Sequence, residues 1–232
     1  MQQSLIHSVC GIIIYMNKKK IISQTVVFVK QRLEKEGTGH DWWHIERVRT
    51  IAKKICLHEQ ADHFIVDLAI LLHDIGDRKV IGTDENDYTI AENFLKTLPL
   101  DSKIINTVMF IIRNMSFSQS FSRKKVNVSM EFQIVQDADR LDALGAIGIA
   151  RVFAFGGSKA RPLYDPTKKP QRLSKTYFKR TEKSTSFHHF YEKILLLKDL
   201  MNTQTAKKIA KKRHEYIKGY MKEFLLEWEG KV

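Results

Sequence analysis

Apolar residues recur three and four positions apart along most of this chain, which is the spacing of amphipathic helices. The pattern predicts a first helix with one face made by Ile21, Ile22, Thr25, Val26, Phe28, Val29 and Leu33. Two further helices follow, with stripes at Ile45, Val48, Ile51, Ala52, Ile55 and Cys56, and at Phe64, Ile65, Leu68, Ala69, Leu71 and Leu72. Asp41 and Asp62 stand where an N-cap side chain accepts from a first helical turn. No run alternates as a strand does and no repeat is visible, so we expect an all-α single domain.

The second half of the chain continues the helical pattern. Helices are expected near Thr89–Leu98 and Ser102–Met115, and one longer helix from about Met130 to Phe155 that ends at Gly156-Gly157. A polar stretch at about 158–186 contains eight basic residues between Lys159 and Arg180 and is predicted to be a long basic loop. Loops of this length are usually lids, binding loops or disordered segments. Two C-terminal helices are expected within about 187–229, at Phe187–Leu200 and Thr203–Glu229.

The first sixteen residues differ from the rest of the chain. The apolar run Val9–Met16 is followed, not preceded, by the lysines at 18–20, which is the wrong order for a signal peptide. No run approaches the roughly 18 apolar residues of a membrane span. We therefore expect residues 1–16 to be a loose or mis-assigned N-terminal extension, residues 17–232 to form the domain, and the protein to be cytoplasmic without a membrane partner.

Composition and charge narrow the class of ligand. The 232 residues are 43% hydrophobic and 28% charged, and two cysteines are too few for a disulfide scaffold. Of the net charge of +13, the part from residue 157 onward carries +11, with 19 basic and 8 acidic residues. This excess is typical of a phosphate ligand or a nucleic-acid surface, and equally of a solvated helix face.

Histidines and aspartates concentrate at a few points of the pattern. His73 and Asp74 end an apolar run, where burial is costly unless the groups are paired or metal-bound, and Gly76 breaks the helix so that both side chains can converge. Asp139 interrupts the next apolar stripe, and His40 and His44 are four residues apart. Imidazole with carboxylate suits Mn²⁺, Fe²⁺, Zn²⁺ or Ni²⁺. The alternatives are a polar helix end at the surface and an exposed Asp139 paired with Arg140. A zinc protease is disfavoured, because Asp41 stands in place of the general-base glutamate.

The order of these motifs resembles the HD-domain metal-dependent phosphohydrolase superfamily, and in particular its small bacterial YpgQ-like branch. The resemblance spans about residues 17–230. It is carried by Gly-His-Asp-x-x-His-x-x-Arg-Val from residue 39, Leu-Leu-His-Asp-Ile-Gly from residue 71, Asp-Ala-Asp-Arg-Leu-Asp-Ala from residue 137, Arg-Pro-Leu-Tyr-Asp from residue 161 and His-His-Phe-Tyr-Glu-Lys from residue 188.

The resemblance implies an all-α HD-domain helical bundle with one divalent metal held by His44, His73, Asp74 and Asp139. Mn²⁺ is the first expectation, with Ni²⁺, Co²⁺, Fe²⁺, Zn²⁺ and Mg²⁺ as alternatives. Asp77 matches the position of a general base or water-positioning group in other HD branches. Asp41 is a candidate to hydrogen-bond a ligand histidine. Residues 111–115 contain no histidine for a second metal, which favours a single-metal site.

The substrate-binding residues are less defined by the sequence. Basic or polar candidates for a polyphosphate are Arg47, Lys79, Arg140, His40, Arg161, His188 and Lys193. Aromatic candidates for stacking on a base are Trp42, Trp43, Phe117 and Phe121, and one of the two tryptophans is expected in the core or an interface.

The implied activity is hydrolysis of nucleoside or deoxynucleoside triphosphates to a monophosphate and pyrophosphate, by attack of a metal-bound water on the α-phosphorus. The alternative among enzymes is a 5′-nucleotidase or another small-phosphoester phosphatase. The alternative from another class is a basic nucleic-acid-binding module with a non-catalytic HD site, which is not favoured. We expect a small nucleotide or other phosphorylated partner, and a homodimer stays open.

Overall fold

The protein is all-helical throughout the part of the chain that the structure describes. This computed structural model describes residues 2–34, 39–77, 83, 86–117, 128–170 and 184–232, with side chains from residue 16 onward. The α-helices are α1 (Gln2–Leu33), α2 (Trp42–Cys56), α3 (His63–Leu72), α4 (Thr89–Lys96), α5 (Ser102–Asn114), α6 (Met130–Asp142), α7 (Gly145–Ser158), α8 (His188–Glu192) and α9 (Gln204–Trp228). A 3₁₀ helix covers Ile194–Leu200. The prediction of an all-α fold is confirmed.

Helix α3 forms the centre of the bundle. Its residues 68–72 are fully buried, as expected for a helix that is apolar all round. Helices α1, α2, α5 and α6 pack against it, and α9 covers α6, α7 and the 3₁₀ helix. This burial fixes the C-terminal end of α3, from which His73 and Asp74 project, inside the bundle.

Local side-chain chemistry sets where the helices begin. The Asp41 carboxylate accepts from the His44 N–H at 2.8 Å, and Asp62 caps α3 by accepting from Phe64 N–H at 2.9 Å. Asp101 and Thr203 cap α5 and α9 in the same way. Both predicted aspartate caps are therefore confirmed.

Two helix predictions are corrected. The expected single helix from Met130 to Phe155 is two helices bent by 72°. Leu144 is extended and Gly145 has φ 76°, a conformation that glycine adopts without steric cost. The expected helix Phe187–Leu200 stops at Glu192, because Lys193 leaves helical geometry (φ −140°, ψ −53°). Beyond it, Ile194 and Leu197 are buried three residues apart, which suits the three-residue turn of a 3₁₀ helix.

The predicted N-terminal boundary lies within helix α1. This helix runs from Gln2 to Leu33 and crosses the position near residue 16 where the sequence predicts the domain to begin, and that boundary stays a prediction. The stripe from Ile21 to Leu33 faces the bundle as predicted. Among the described helices, none is by itself long and apolar enough to cross a membrane, and the one pair that passes by length and composition, α6 with α7, is the bent pair.

Candidate metal centre

His44 lies in the first turn of α2 with its side chain fully buried. The Asp41 cap fixes where this helix begins, and therefore where along the helix axis the His44 imidazole lies in the bundle. Its Nε2 points towards the end of α3 and the last turn of α6, where His73, Asp74 and Asp139 lie.

His73 and Asp74 sit in the tight turn that ends α3. The turn reverses at Gly76, whose φ is 90° and whose carbonyl accepts from Asp87 N–H at 2.8 Å. A Cβ at this position would lie 1.8 Å from the Asp87 carbonyl oxygen, so only glycine allows these two backbone segments to come this close. This contact ties the turn to the segment that precedes α4.

Donor atoms from three helices converge on one point. His44 Nε2 lies 3.3 Å from His73 Nε2, 3.5 Å from Asp74 Oδ2 and 3.5 Å from Asp139 Oδ1. His73 Nε2 lies 3.3 Å from Asp74 Oδ1 and 3.8 Å from Asp139 Oδ1. Two ligand atoms that each lie about 2.1 Å from one metal ion are roughly 3.0 Å apart when the angle at the metal is 90°, and roughly 3.4 Å apart when it is tetrahedral. The four side chains expected as metal ligands are thus brought together. His44, His73 and Asp139 offer mutually close ligand atoms, and Asp74 approaches His44 with Oδ2 and His73 with Oδ1.

The hydrogen bonds of the His44 and His73 imidazoles also suit the binding of a cation. His73 Nδ1 lies 2.8 Å from the Ile70 carbonyl oxygen, which can only accept, so Nδ1 carries the hydrogen. His44 Nδ1 lies 2.7 Å from Asp142 Oδ2, and it donates for the same reason. In the neutral form both rings therefore turn an Nε2 lone pair towards the other. Two buried lone pairs facing each other are unfavourable without a cation between them.

The electrostatics of the cluster favour positive charge at its centre. Burial and the positive charge of Arg151 both act to lower the pKa of His44, but hydrogen bonds to Asp139 and Asp142 and the charge of Asp74 outweigh them and raise it above its ordinary value. Burial opposes ionisation of Asp74, yet the neighbouring histidines hold the pKa of this carboxyl well below its usual range. The pKa of Asp139, whose side chain is only partly buried, is likewise lowered: its partial burial opposes ionisation, but His44 and His73 outweigh it. The carboxylates are therefore ionised at neutral pH and able to ligate a cation.

His40 belongs to the cluster more closely than the sequence indicates. Its Nδ1 lies 3.0 Å from Asp74 Oδ2, and His40, His44 and Asp74 form a second group of mutually close donor atoms. Asp77 closes the turn, with its N–H donating to the Asp74 carbonyl at 3.2 Å. Tyr88 lies beside this turn, its Cα 3.1 Å from the place of a Cβ on Gly76, and burial with the charges of Asp77 and Asp74 raises the pKa of Tyr88.

The sequence missed Asp142 and Arg151. Asp142 lies one turn after Asp139 on α6, and its carboxylate accepts from the guanidinium of Arg47 (Nε, 2.9 Å; Nη2, 3.1 Å) and from Arg151 Nη1 (2.9 Å). The expectation that Asp41 bonds a ligand imidazole is wrong for His44, because Asp41 bonds the backbone of His44 and Asp142 bonds its ring. The sequence does show that Asp142 follows Asp139 by three residues, a spacing that puts both carboxylates on the same face of a helix.

The other substrate candidates have described contacts elsewhere. Arg140 is buried and donates to the Leu200 carbonyl, and burial lowers its pKa to about 10. The guanidinium of Arg161 lies over Phe155, His188 meets the Tyr164 ring edge-on, and Lys193 lies over Phe117. Trp42 is buried and Trp43 is 65% exposed, so the prediction that one tryptophan lies in the core is confirmed. Lys79 and Phe121 lie outside the described residues.

Comparison with known proteins agrees with this geometry. A family model for the HD domain matches residues 42–144. The chain is 36% identical over 208 residues to the uncharacterized protein YpgQ of Bacillus subtilis, which covers 90% of this chain and 94% of YpgQ.

Crystal structures of similar proteins have the same fold. An HD-superfamily hydrolase from Bacillus thuringiensis superposes with a TM-score of 0.70 at 41% identity, over 91% of this chain and 98% of that one. A Lactobacillus plantarum protein superposes with a TM-score of 0.78 at 32% identity, over 90% and 97%. Bacillus subtilis YpgQ in complex with ADP superposes with a TM-score of 0.69 at 34% identity, over 90% and 95%.

The helical bundle and its cluster of histidines and aspartates are those of an HD-superfamily hydrolase. Within that superfamily the chain belongs to the YpgQ-like HD-domain family, by its identity to YpgQ over nine tenths of its length.

Proposed function

We propose that this hydrolase is a metal-dependent nucleoside triphosphate pyrophosphohydrolase, which converts NTPs or dNTPs to a monophosphate and pyrophosphate. The observation that carries the proposal is the convergence of His44 Nε2, His73 Nε2 and the carboxylates of Asp74 and Asp139 within 3.3–3.8 Å. The ADP in the crystal structure of YpgQ supports a nucleotide as the ligand.

These four side chains would hold one divalent cation, and we expect Mn²⁺ first. When bound, such an ion supplies Lewis-acid chemistry, since it polarises phosphoryl oxygens and makes water acidic enough to react near neutral pH. The imidazoles are preset for this role by their Nδ1 hydrogen bonds, and Asp74 is held by His40.

Asp77 is the proposed general base or water-positioning group. Asp77 closes the turn that carries His73 and Asp74, which we call the ligand turn. The hydrogen bond from Asp77 N–H to the Asp74 carbonyl therefore fixes the position of Asp77 relative to Asp74. In this role a carboxylate oxygen accepts the proton of the attacking water, or orients that water towards the α-phosphorus.

Arg47 is the best placed of the proposed phosphate ligands. It uses Nε and Nη2 on Asp142, and 33% of its side chain is exposed. With no bond from Nη1 to any of the described residues, this nitrogen can donate to an anionic group beside the cluster. A guanidinium fixed in this way suits a leaving pyrophosphate, whose oxygens accept charge-assisted hydrogen bonds.

The test is an analysis of phosphate products with added Mn²⁺. The metal-stripped protein is offered NTPs, dNTPs and nucleoside monophosphates, with Asp74→Ala beside Asp199→Ala, a surface aspartate that pairs only with Lys198 among the contacts described for it. Pyrophosphate with a monophosphate from wild type and Asp199→Ala, and no turnover by Asp74→Ala, is the expected result.

Other products would change the assignment. Orthophosphate from monophosphates would make the protein a 5′-nucleotidase or a related phosphatase. No product from any substrate, with Mn²⁺ demonstrably bound, would refute the enzymatic proposal and favour the nucleic-acid-binding module. That reading predicts salt-dependent binding of DNA or RNA that survives Asp74→Ala.

A further inference from the structure

The Asp142 carboxylate accepts four hydrogen bonds from three side chains, which fills the acceptor capacity of a carboxylate. Its side chain is 1% exposed. Oδ2 accepts from His44 Nδ1 (2.7 Å), Arg47 Nη2 (3.1 Å) and Arg151 Nη1 (2.9 Å), while Oδ1 accepts from Arg47 Nε (2.9 Å). The two guanidiniums fix the carboxylate from two sides, one from α2 and one from α7.

The orientation of this carboxylate decides the state of His44. A neutral imidazole carries one hydrogen, and the nitrogen that bonds an acceptor keeps it. Because Oδ2 lies 2.7 Å from Nδ1, the hydrogen stays on Nδ1 and the lone pair of Nε2 faces His73 and Asp139. The opposite tautomer would put an N–H where a cation must bind.

The two histidines of the cluster obtain this orientation differently. His73 Nδ1 bonds a backbone carbonyl, that of Ile70, within its own helical turn. His44 has its partner 98 residues away on another helix. The ring of His73 is therefore fixed by the main chain, whereas the ring of His44 depends on one side chain that a substitution can remove.

We propose that Asp142 is the positioning residue of the metal centre: it fixes the His44 imidazole as the Nδ1–H tautomer with Nε2 aimed at the metal position, and Arg47 and Arg151 fix Asp142 in turn. The inference rests on the proposed metal-dependent function. It gives Arg47 a role besides contact with phosphate and assigns a role to Arg151. Partners of this kind commonly change metal affinity 10–100-fold when they are removed.

Asp142→Asn is the most direct perturbation. The side chain keeps its shape, but its amide carries two N–H donors. Because donors approach both oxygens of Asp142, either orientation of the amide turns N–H groups towards a donor, at Arg47 Nε or at His44. The matched control is Asp137→Asn, on the same helix and fully buried, whose carboxylate accepts from the backbone and side chains of Asn202 and Thr203.

The experiment measures Co²⁺ binding by calorimetry and the visible absorption of the Co²⁺ complex, with thermal unfolding recorded in parallel. We expect Asp142→Asn to bind Co²⁺ about 10–100-fold more weakly and with an altered spectrum. Asp137→Asn should unfold at a lower temperature with the dissociation constant and spectrum of wild type. Arg151→Gln, which removes one of the fixing donors, should weaken Co²⁺ binding by a smaller factor.

The outcomes separate this inference from the proposed function. If wild type binds Co²⁺ and Asp142→Asn binds it within twofold and with the same spectrum, the positioning role is refuted and the metal site stands. If wild type itself does not bind Co²⁺, the metal-dependent function fails and the inference fails with it. If Asp142→Asn does not fold, Arg151→Gln decides, since wild-type affinity and spectrum in that variant would refute the inference.

Discussion

Replacing Gly76 by alanine tests the turn that carries His73 and Asp74. Gly76 has φ 90°, and an added Cβ would lie 1.8 Å from the Asp87 carbonyl oxygen, 2.5 Å from its carbon and 3.1 Å from Tyr88 Cα. All three atoms belong to the main chain, so no side chain can rotate away. Either the 87–88 segment moves or the ligand turn moves, and the Asp87 N–H to Gly76 carbonyl bond of 2.8 Å is lost.

The magnitude follows from three contributions. A left-handed conformation costs an alanine about 1–2 kcal/mol. Steric overlap in a packed site costs about 1–3 kcal/mol, and the lost hydrogen bond about 1 kcal/mol. Together they predict a loss of roughly 3–6 kcal/mol in the free energy of unfolding. For a domain of this size each kcal/mol lowers Tm by about 2–4 °C, so Gly76→Ala should unfold at least about 6 °C below wild type.

The assay is thermal unfolding by circular dichroism, with Mn²⁺ affinity measured on the folded variant. The control is Gly219→Ala, at an exposed position inside α9 where a Cβ meets nothing within 4 Å. There alanine should stabilise by about 0.5–1 kcal/mol, because glycine is a poor helix former. If Gly76→Ala unfolds at the wild-type temperature and binds Mn²⁺ as tightly as wild type, the close contact that we infer to orient the ligand turn is refuted.

Two further predictions concern the cation and a buried arginine. Mn²⁺ at 100 times its dissociation constant should add about 2.7 kcal/mol to the free energy of unfolding, or roughly 5–10 °C in Tm; Asp139→Asn should remove most of this rise, and a full rise in that variant would exclude Asp139 as a ligand. Arg140→Ala should lower the free energy of unfolding by about 1–3 kcal/mol, because it leaves the Leu200 carbonyl without its donor. The KM for nucleotide should stay within twofold, and a tenfold rise in KM without a change in Tm would instead make Arg140 a substrate residue.

The features that the sequence predicts well are those that depend on neighbours within one helical turn. The caps at Asp41 and Asp62 need only a carboxylate at the right position before an apolar stripe. The burial of α3 follows from its apolar run. The convergence of the His73 and Asp74 side chains on one point follows from the break at Gly76. These inferences use i, i+3 and i, i+4 relations, which a sequence displays directly.

The features that the sequence does not predict depend on distant contacts or on backbone torsions. The bond between His44 and Asp142 joins residues 98 positions apart, and Arg151 reaches Asp142 only because the chain bends between α6 and α7. That bend depends on Gly145, whose small size also fits close packing within one continuous helix. A glycine indicates freedom without saying whether the backbone uses it, so the pattern favoured one helix where there are two.

The charges around the cluster explain why the basic excess of the chain is a poor guide to its site. Asp74, Asp139 and Asp142 carry three carboxylates, and Asp77 adds a fourth in the same turn as Asp74. With the guanidiniums of Arg47 and Arg151 and neutral histidines, these groups sum to −2. Such a site repels a polyphosphate. With one divalent cation bound the same groups would sum to 0, which would remove the repulsion. We therefore expect affinity for an anionic substrate to depend on the cation.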